Sequence, residues 1–418
     1  MDGCWAGQFN HRLATAGRFF PIGLILFGAL ILPVADACAQ PSGQPGAASV
    51  NILYVRETVD RPPPLSLLDL PPKDVGLAGA TLAIADNNNT GRFIGQEYRL
   101  DVIEDGSADE LVRQASEWVD KGGHFLVLAV EPQTAVKLAD ALEGKEALLF
   151  NAGASDDNLR EENCRANVLH TAPSRAMLTD ALAQYLVWKQ WRRWFLIVGE
   201  RPEDQAYGEA LRRSAKRFGA RIVEERTFAE TGGSRRADGG HEQVQQQMPL
   251  FTQNAAEHDV VVVADESELF GEYLPYRTWD ARPVVGTQGL TPMSWHPALE
   301  QWGGTQFQNR FQRSANRTMR PLDYDVWVAV RAIGEGATRR NSTDYGEIAA
   351  HLRTPDFAVA GFKGQKLTFR EWNGQLRQPI LVATPKLVVS VSPQPGFLHE
   401  FSELDTLGVD RPETKCKL

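Results

Sequence analysis

The stretch "DVVVVAD", Asp259 to Asp265, contains four consecutive valines. An unbroken β-branched run predicts a strand buried on both faces, which is typical of a parallel sheet covered by helices. Other short apolar runs, "HFLVLAV", "ALLF" and "WFLIVGE", lie earlier in the chain. Segments between them carry apolar residues at helical spacing, as in Leu111 to Val119. This alternation predicts an α/β fold.

The strands fall into two successive series. One runs from "NILYV" to "ALLF", and a second begins after "LHTAPSRAM" and ends at "PVVGTQGL". Two βα series predict two doubly wound parallel-sheet lobes. Past Arg320 the sequence predicts a helix, an Asn-Gly hairpin in "GFKGQKLTFREWNGQL" and two short strands, so the chain is expected to recross between the lobes. The expected organisation is lobe 1 at 51–171 with roughly 315–355, lobe 2 at 172–314 with roughly 356–390, and a tail at 391–418.

The N-terminus has the pattern of a secretory signal. Arg12 and Arg18 precede an apolar run that ends in "ADACAQ". We expect residues 1–39 to be removed by cleavage before Gln40, leaving 40–50 as a flexible leader. Cys38 as a lipid anchor and a retained membrane anchor are the alternatives.

Composition excludes some partners. The 418 residues are 43% hydrophobic and 23% charged, as in ordinary globular proteins, and are enough for two domains with their own cores. The 44 basic and 53 acidic residues give a net charge of -9, which argues against a nucleic acid partner.

Two cysteines follow the predicted cleavage point. Cys164 and Cys416 are expected to form a disulfide in an oxidising compartment, with two free thiols as the alternative.

Catalytic and metal-binding patterns are missing from the sequence. It contains no G-x-S-x-G elbow, P-loop or G-x-G-x-x-G after a strand, and its histidines and cysteines lack metal-ligand spacing. We therefore expect no enzyme, no cofactor and no metal, and a hydrolase or oxidoreductase on this scaffold is disfavoured.

Ligands of open parallel sheets bind beyond the carboxyl ends of the strands. Small residues before a helix start would let a ligand oxygen reach free backbone N–H groups, whereas Ser155 or Asp156 could instead simply cap that helix. Tyr207 could equally be a core residue, and Asp265 and Glu266 solvated loop acids. The candidates are Glu131, Gln133 and Thr134; Gly153, Ala154 and Ser155; Tyr207; Asp265 and Glu266; and Gln288.

Three tryptophans stand three residues apart in "VWKQWRRWF". On a helix, Trp188, Trp191 and Trp194 would share one side. They are expected to cover a helix–strand junction, with an exposed patch for a protein partner as the alternative.

The order of several segments resembles a known family. "GLAGATLAIADNNNTG", "NAGASDDNLRE", "LHTAPSRAM" and "DQAYGEALRRSAKRFGARIV" are similar to the type I periplasmic substrate-binding proteins of branched-chain amino-acid ABC transporters, a likeness that runs from about Asn51 to Gly336. The C-terminal part, from "DFAVAGFKGQKLTF" to Cys416, resembles the branch associated with pyrroloquinoline-quinone-dependent alcohol dehydrogenase systems.

This resemblance implies a periplasmic protein that captures a small organic ligand between two lobes. The partner would be an ABC permease or, alternatively, a quinoprotein dehydrogenase, and contact with a membrane would occur only through that partner. The family's Ser-rich loop would match Glu131 to Thr134, which contains no serine. The backbone and hydroxyl groups that hold a ligand carboxylate in the family would match Gly153 to Ser155, and its aromatic residue would match Tyr207. The acidic residue that binds the α-ammonium falls near the neutral Gln288, so Asp265 or Glu266 would have to take that role. The loop "RPPPLSLLDLPPK" replaces a Gly-rich loop and is expected to reshape the cleft.

Overall fold

The computed structural model describes residues 48–60, 70–229 and 244–418. Gly46–Leu418 group into one compact unit. The predicted signal peptide, most of the leader, most of the proline-rich loop and the Gly-rich insertion near 231–240 lie outside the described residues. Within the described ranges, no helix combines the length and the apolar content that crossing a membrane requires.

The first lobe is built on a five-stranded parallel sheet with strand order β2-β1-β3-β4-β5. Strands β3 and β4 are buried along their whole length, as their apolar runs predict. The elements of this series are β1 (Ala48–Glu57), α1 (Leu77–Gly91), β2 (Gln96–Asp105), α2 (Ala108–Asp120), β3 (Phe125–Ala129), α3 (Pro132–Ala141), β4 (Leu148–Asn151) and β5 (Val168–His170).

The second lobe is built on a four-stranded parallel sheet with strand order β7-β6-β8-β9. The four valines are the first four residues of β8 and are at most 1% exposed, which confirms the strand buried on both faces. The elements of this series are α4 (Arg175–Trp188), β6 (Arg193–Gly199), α5 (Pro202–Phe218), β7 (Arg221–Phe228), α6 (Val244–Thr252), β8 (Val260–Ala264), α7 (Leu274–Arg277) and β9 (Val284–Gly286).

The remaining elements return to both lobes. Helix α9 packs closely on α1. The backbone oxygen of Asp323 in α9 lies so near Gly79 in α1 that a Cβ added at Gly79 would be only 2.0 Å from it. Strand β10 pairs with β14, and β14 with β15, while β11, β12 and β13 form a small meander. These elements are β10 (Thr291–Met293), α8 (Gly304–Ala315), α9 (Pro321–Arg340), α10 (Tyr345–Leu352), β11 (Val359–Ala360), β12 (Lys366–Phe369), β13 (Leu376–Arg377), β14 (Ile380–Thr384) and β15 (Leu387–Ser392).

The predicted Asn-Gly hairpin is present between β12 and β13. Its turn is longer than two residues, because the strand pairing ends at Phe369 and Leu376. Gly374 adopts a φ of 66°, a conformation that glycine tolerates best, and its N–H donates to the Arg370 carbonyl at 2.9 Å.

The C-terminal tail, residues 393–418, contacts elements of both sheet series. Near α4 and α5, the Gly408 N–H donates to the buried carboxylate of Asp180 at 2.8 Å. At its end, Cys416 forms a disulfide with Cys164, which lies between β4 and β5. Glu161 beside that disulfide accepts from the Lys415 N–H at 2.7 Å.

The idea that the three tryptophans share one helix face is wrong. Helix α4 ends at Trp188, and Gln190 turns the chain with a φ of 64°, so Trp194 already belongs to β6. Trp194 is fully buried, Trp191 is partly buried and packs against Tyr185, and Trp188 is 49% exposed. The tryptophans therefore cover the junction of helix and strand.

Candidate ligand site between the lobes

The loop that follows β4 is held in place from inside the protein. The fully buried Asn151 accepts a hydrogen bond from the Ala154 N–H at 2.9 Å and donates one to the Ala154 carbonyl at 2.8 Å. The buried guanidinium of Arg160 donates to the carbonyls of Ala154, Asp156 and Ala172. These bonds fix a rigid turn at the carboxyl end of β4.

The small residues in this turn have a structural reason. A Cβ at position 153 would lie 3.0 Å from the Ala129 Cα and 3.1 Å from the Val130 nitrogen, so a larger residue would press on the backbone after β3. Gly153 is nonetheless exposed, while Ala154 is buried and Ser155 is partly buried. The turn thus forms a solvent-facing wall with close backbone packing behind it.

The expected α-helix after this turn is absent. The chain makes only a short 3₁₀ turn, Asp157–Arg160, before which Asp156 makes no side-chain capping bond. Asp157 instead accepts from the Ala176 N–H at 3.0 Å and so supports the first turn of α4.

Arg175 is the central side chain of the candidate site. It opens α4 directly after β5, and its N–H donates to the Ser155 carbonyl at 2.8 Å. Its guanidinium contacts Asp156 at 3.0 Å and makes a two-pronged bond with Glu266, in which Nε and Nη2 lie 2.9 and 2.7 Å from Oε2. Arg175 therefore joins the loop after β4 in the first sheet to the loop after β8 in the second.

The electrostatics of this cluster favour a permanent positive charge on Arg175. Burial works against the charged guanidinium, but the hydrogen bonds and charges of Glu266 and Asp156 outweigh it and raise the pKa of Arg175. Burial raises the pKa of the Glu266 carboxyl, although Arg175 acts in the opposite direction. The side chains of Asp156 and Glu266 are 27% and 23% exposed, so solvent still reaches the cluster.

Tyr207 lies at this cluster but belongs to the core of the second lobe. It is 3% exposed and packs in the apolar cluster around β6 and β8. Burial raises the pKa of its phenol, and the nearby charge of Glu266 adds to that effect. The structure thus brings Tyr207, Glu266 and the Gly153–Ser155 turn together around Arg175.

The loop after β3 uses its polar groups internally. Glu57, at the end of β1, accepts from the Glu131 N–H at 2.8 Å and from the Thr134 hydroxyl at 2.9 Å. The carboxylate of Glu57 thus caps the N-terminus of α3, and Thr134 is 2% exposed. Gln133 is exposed on the first turn of that helix.

The two remaining candidates, Asp265 and Gln288, lie within the loops of the second lobe. Asp265 is 1% exposed, and its carboxylate accepts N–H bonds from Leu269, Phe270 and Gly271 at 2.6–3.0 Å. Its oxygens are therefore committed to this turn, contrary to the expectation of a solvated acid. Gln288 is partly buried and packs closely against Gly271.

Reasoning from sequence overlooked Arg175 and the paired role of Asp156. The sequence does contain evidence for Arg175, because this residue follows the strand β5 just as the other candidates follow their strands. Applying the strand-end rule to "LHTAPSR" as well would have added it.

Comparison with known proteins identifies the architecture. Residues 74–234 match a family model described as a periplasmic binding protein. Among solved structures, a branched-chain amino-acid ABC transporter periplasmic ligand-binding protein from Burkholderia xenovorans is 15% identical, with a TM-score of 0.64 over 82% of this chain and 95% of that one. The chain has the fold of a periplasmic binding protein.

Other periplasmic binding proteins of this fold differ in their ligands. A leucine-, isoleucine-, valine-, threonine- and alanine-binding protein from Brucella ovis in a closed conformation is 15% identical, with a TM-score of 0.64 over 83% of this chain and 93% of that one. A solute-binding protein from R. palustris in complex with benzoate is 12% identical, with a TM-score of 0.61 over 89% of this chain and 100% of that one. No curated protein gives a significant match. The matched family and these neighbours are binding proteins, not enzymes, in agreement with the expectation for this chain.

Proposed function

We propose that this protein is a periplasmic solute-binding protein that captures a small organic molecule between its two lobes for an ABC transporter. The observation that carries the proposal is the bridge from Asp156 through Arg175 to Glu266, which joins strand-end loops of both sheets. Two-lobed proteins close around ligands bound at such a junction. The family match over residues 74–234 supports the same reading.

The charges of the bridge favour a zwitterionic ligand such as an α-amino acid. Two carboxylates face one guanidinium, so a ligand with only a carboxylate would add a third negative charge beside a single positive one. A zwitterion can place its carboxylate on Arg175 and its ammonium on Glu266, exchanging the direct ion pair for two ligand-mediated ones. Glu266 would then replace the acidic residue that binds the α-ammonium group in the family, at whose position this chain has the neutral Gln288. The Gly153–Ser155 turn and Tyr207 would line the same space.

Three molecules of one shape test this assignment. Leucine, 4-methylpentanoate and 3-methylbutylamine share an aliphatic chain and differ in which charges they carry. We expect leucine to bind the mature chain most tightly, measured by calorimetry and by thermal shift, since ligand at 100 times its Kd adds about 2.7 kcal/mol of stability. Glu266→Gln should weaken leucine binding at least tenfold and should strengthen 4-methylpentanoate binding, because it removes one of the two negative charges beside the ligand carboxylate.

Glu209→Gln is the matched control, because Glu209 is exposed on α5. It should bind leucine as the wild type does. If 4-methylpentanoate bound more tightly than leucine, or if Glu266→Gln had no effect on leucine, the proposed zwitterion site would be wrong.

We also propose a link to quinoprotein alcohol oxidation, supported by the sequence resemblance of the C-terminal part. The docking partner would then be a permease of that system or, as the alternative, the dehydrogenase itself. Co-purification of the mature chain with one but not the other distinguishes the two.

A further inference from the structure

The amino ends of the second sheet lie at the edge opposite the candidate site. Arg193 begins β6 and Arg221 begins β7, and these two residues pair in register. Because the strands are parallel, Glu266 lies at the other edge, beyond the carboxyl end of β8. A surface at the amino edge is therefore separate from the proposed solute site.

Apolar side chains reach the surface at this amino edge. Trp188 ends α4, is 49% exposed and lies beside the ring of Tyr185, with 6.2 Å between the ring centroids. Phe218 ends α5 and packs in the same apolar cluster as Tyr185. The tail meets it at Phe397, where the two rings lie edge to face at 5.5 Å. The next residue, Leu398, is 79% exposed.

Four cations lie among these apolar side chains, and we call them the basic edge. The Lys189 ammonium is 5.4 Å from the centroid of the Trp188 ring. The Arg221 N–H donates to the Arg192 carbonyl at 2.7 Å, so these two backbones are adjacent, and Lys216 lies in the last turn of α5. All four cationic residues are exposed, and none of their side chains pairs with a carboxylate in the described ranges.

The acidic groups nearby are paired with other arginines. Asp259 and Glu257 contact Arg193 at 2.8 and 2.9 Å, and Asp180 contacts Arg217 at 3.1 Å. Two acids thus outweigh Arg193 by one charge, which the four cations of the basic edge exceed. The whole chain has a net charge of -9, but charges farther away than about 8 Å are largely screened at physiological ionic strength. A partner at this edge therefore meets positive charge.

The placement of the exposed side chains favours a bilayer as that partner. They stand on chain turns: α4 ends at Trp188, α5 is followed by Gly219 with a φ of 73°, and Gly396 with a φ of 95° precedes Phe397. A docked peptide needs a groove or a sheet edge, whereas a bilayer accepts protruding side chains. Tryptophan rings favour the boundary between headgroups and acyl chains, and neighbouring cations attract anionic headgroups.

We propose that the amino edge of the second lobe binds an anionic lipid bilayer directly. Trp188 and Leu398 would enter the headgroup region, and the cations of the basic edge would contact the lipid phosphates. Such binding holds the protein at a membrane surface and leaves the opposite edge, with the candidate site, free. It does not depend on the identity of the captured solute.

Vesicle co-sedimentation of the full mature chain tests the electrostatic part. At low salt we expect binding to vesicles of equal parts phosphatidylglycerol and phosphatidylcholine, and binding to pure phosphatidylcholine that is weaker by about tenfold or more. Arg192→Gln with Arg221→Gln should weaken binding to the mixed vesicles about 25-fold, because each cation near an anionic surface contributes about fivefold. Lys121→Gln with Arg340→Gln is the matched control: both cations are exposed in the first lobe, and binding should stay unchanged.

Brominated lipid tests the apolar part, because bromine quenches only those tryptophans that enter the bilayer. The quenching seen in the wild type should disappear in Trp188→Phe and persist in Trp279→Phe, at a tryptophan that is 56% exposed after α7. Leu398→Ser alters an exposed position, so it should fold, and it should weaken vesicle binding several-fold.

Three outcomes would overturn the proposal. They are no binding of the wild type to the mixed vesicles, equal binding by the wild type and the Arg192 and Arg221 double variant, and unchanged quenching in Trp188→Phe. The first outcome would leave an acidic protein as the partner of the basic edge.

Discussion

Asp325 makes a specific prediction about the pH dependence of stability. It lies in the first half of α9, is 5% exposed, and accepts a hydrogen bond from the Ser294 hydroxyl at 2.9 Å. Its other carboxylate oxygen has no partner among the described residues. Burial raises its pKa from 3.8 to about 8, despite the opposing charge of Lys363. The folded protein therefore keeps this proton where the unfolded chain releases it.

The sign and size of the effect follow from linkage. A carboxyl whose pKa is raised by folding contributes stability below its unfolded pKa, and this contribution is lost as the pH rises toward the folded value. With one proton of difference between the states, the loss is about 1.4 kcal/mol per pH unit, or about 2 kcal/mol between pH 5 and 6.5. Burial lowers the pKa of Lys363 to about 7, so the window ends below that value.

The assay is urea unfolding of the wild type and Asp325→Asn at both pH values. We expect the free energy of unfolding of the wild type to fall relative to that of the variant by about 2 kcal/mol across the window. Titrating groups that do not interact with Asp325, including the buried His170, cancel in this difference, and the window lies below the pKa of Lys363. Asp109→Asn, at a side chain that is 85% exposed, should keep the wild-type slope. Equal slopes for wild type and Asp325→Asn would show that Asp325 is ionised in the folded protein.

Two further predictions concern the tail. Replacing both Cys164 and Cys416 by serine opens a covalent loop that spans 252 positions, for which the chain-entropy relation gives a loss of up to about 5.5 kcal/mol. The urea midpoint should therefore drop under non-reducing conditions, and an unchanged midpoint would contradict this. Asp180→Ala leaves Arg213 and Arg217 without their buried carboxylate and should cost about 3–5 kcal/mol in the same assay; a loss below 1 kcal/mol would mean that the arginines find other partners.

The fold could be predicted because its central strands are marked in the sequence by short continuous runs of apolar residues. The four valines of β8 and the run at Phe125–Ala129 are apolar throughout, as expected for strands of a sheet that is covered on both faces. The tryptophan stripe failed because spacing alone does not show where a helix ends. The turn at Gln190 depends on a single backbone conformation that the sequence does not announce.

The position of the candidate site could be predicted only from the rule that ligands bind beyond the carboxyl ends of parallel strands. That rule found the Gly153–Ser155 turn and Glu266, which the structure brings together around Arg175. It could not show which polar groups the protein uses for itself. Asp265 and Glu266 are adjacent, yet one caps its own loop and the other faces Arg175, and this difference depends on the path of the chain as far as Gly271.

The tail has a mechanical consequence for a protein that closes around a ligand. It is fixed to the second lobe through Gly408 and Asp180, and to the loop between β4 and β5 through the disulfide at Cys164. Any separation of the lobes must therefore carry along or extend the seven residues between Gly408 and Cys416, whose eight Cα–Cα steps span at most about 29 Å when fully extended. The tail thus sets an upper limit on opening, whereas it places no such limit on closure. The Asp156–Arg175–Glu266 bridge forms where the lobes are close together, so it stabilises the closed arrangement. The tail, in contrast, limits how far the lobes can open.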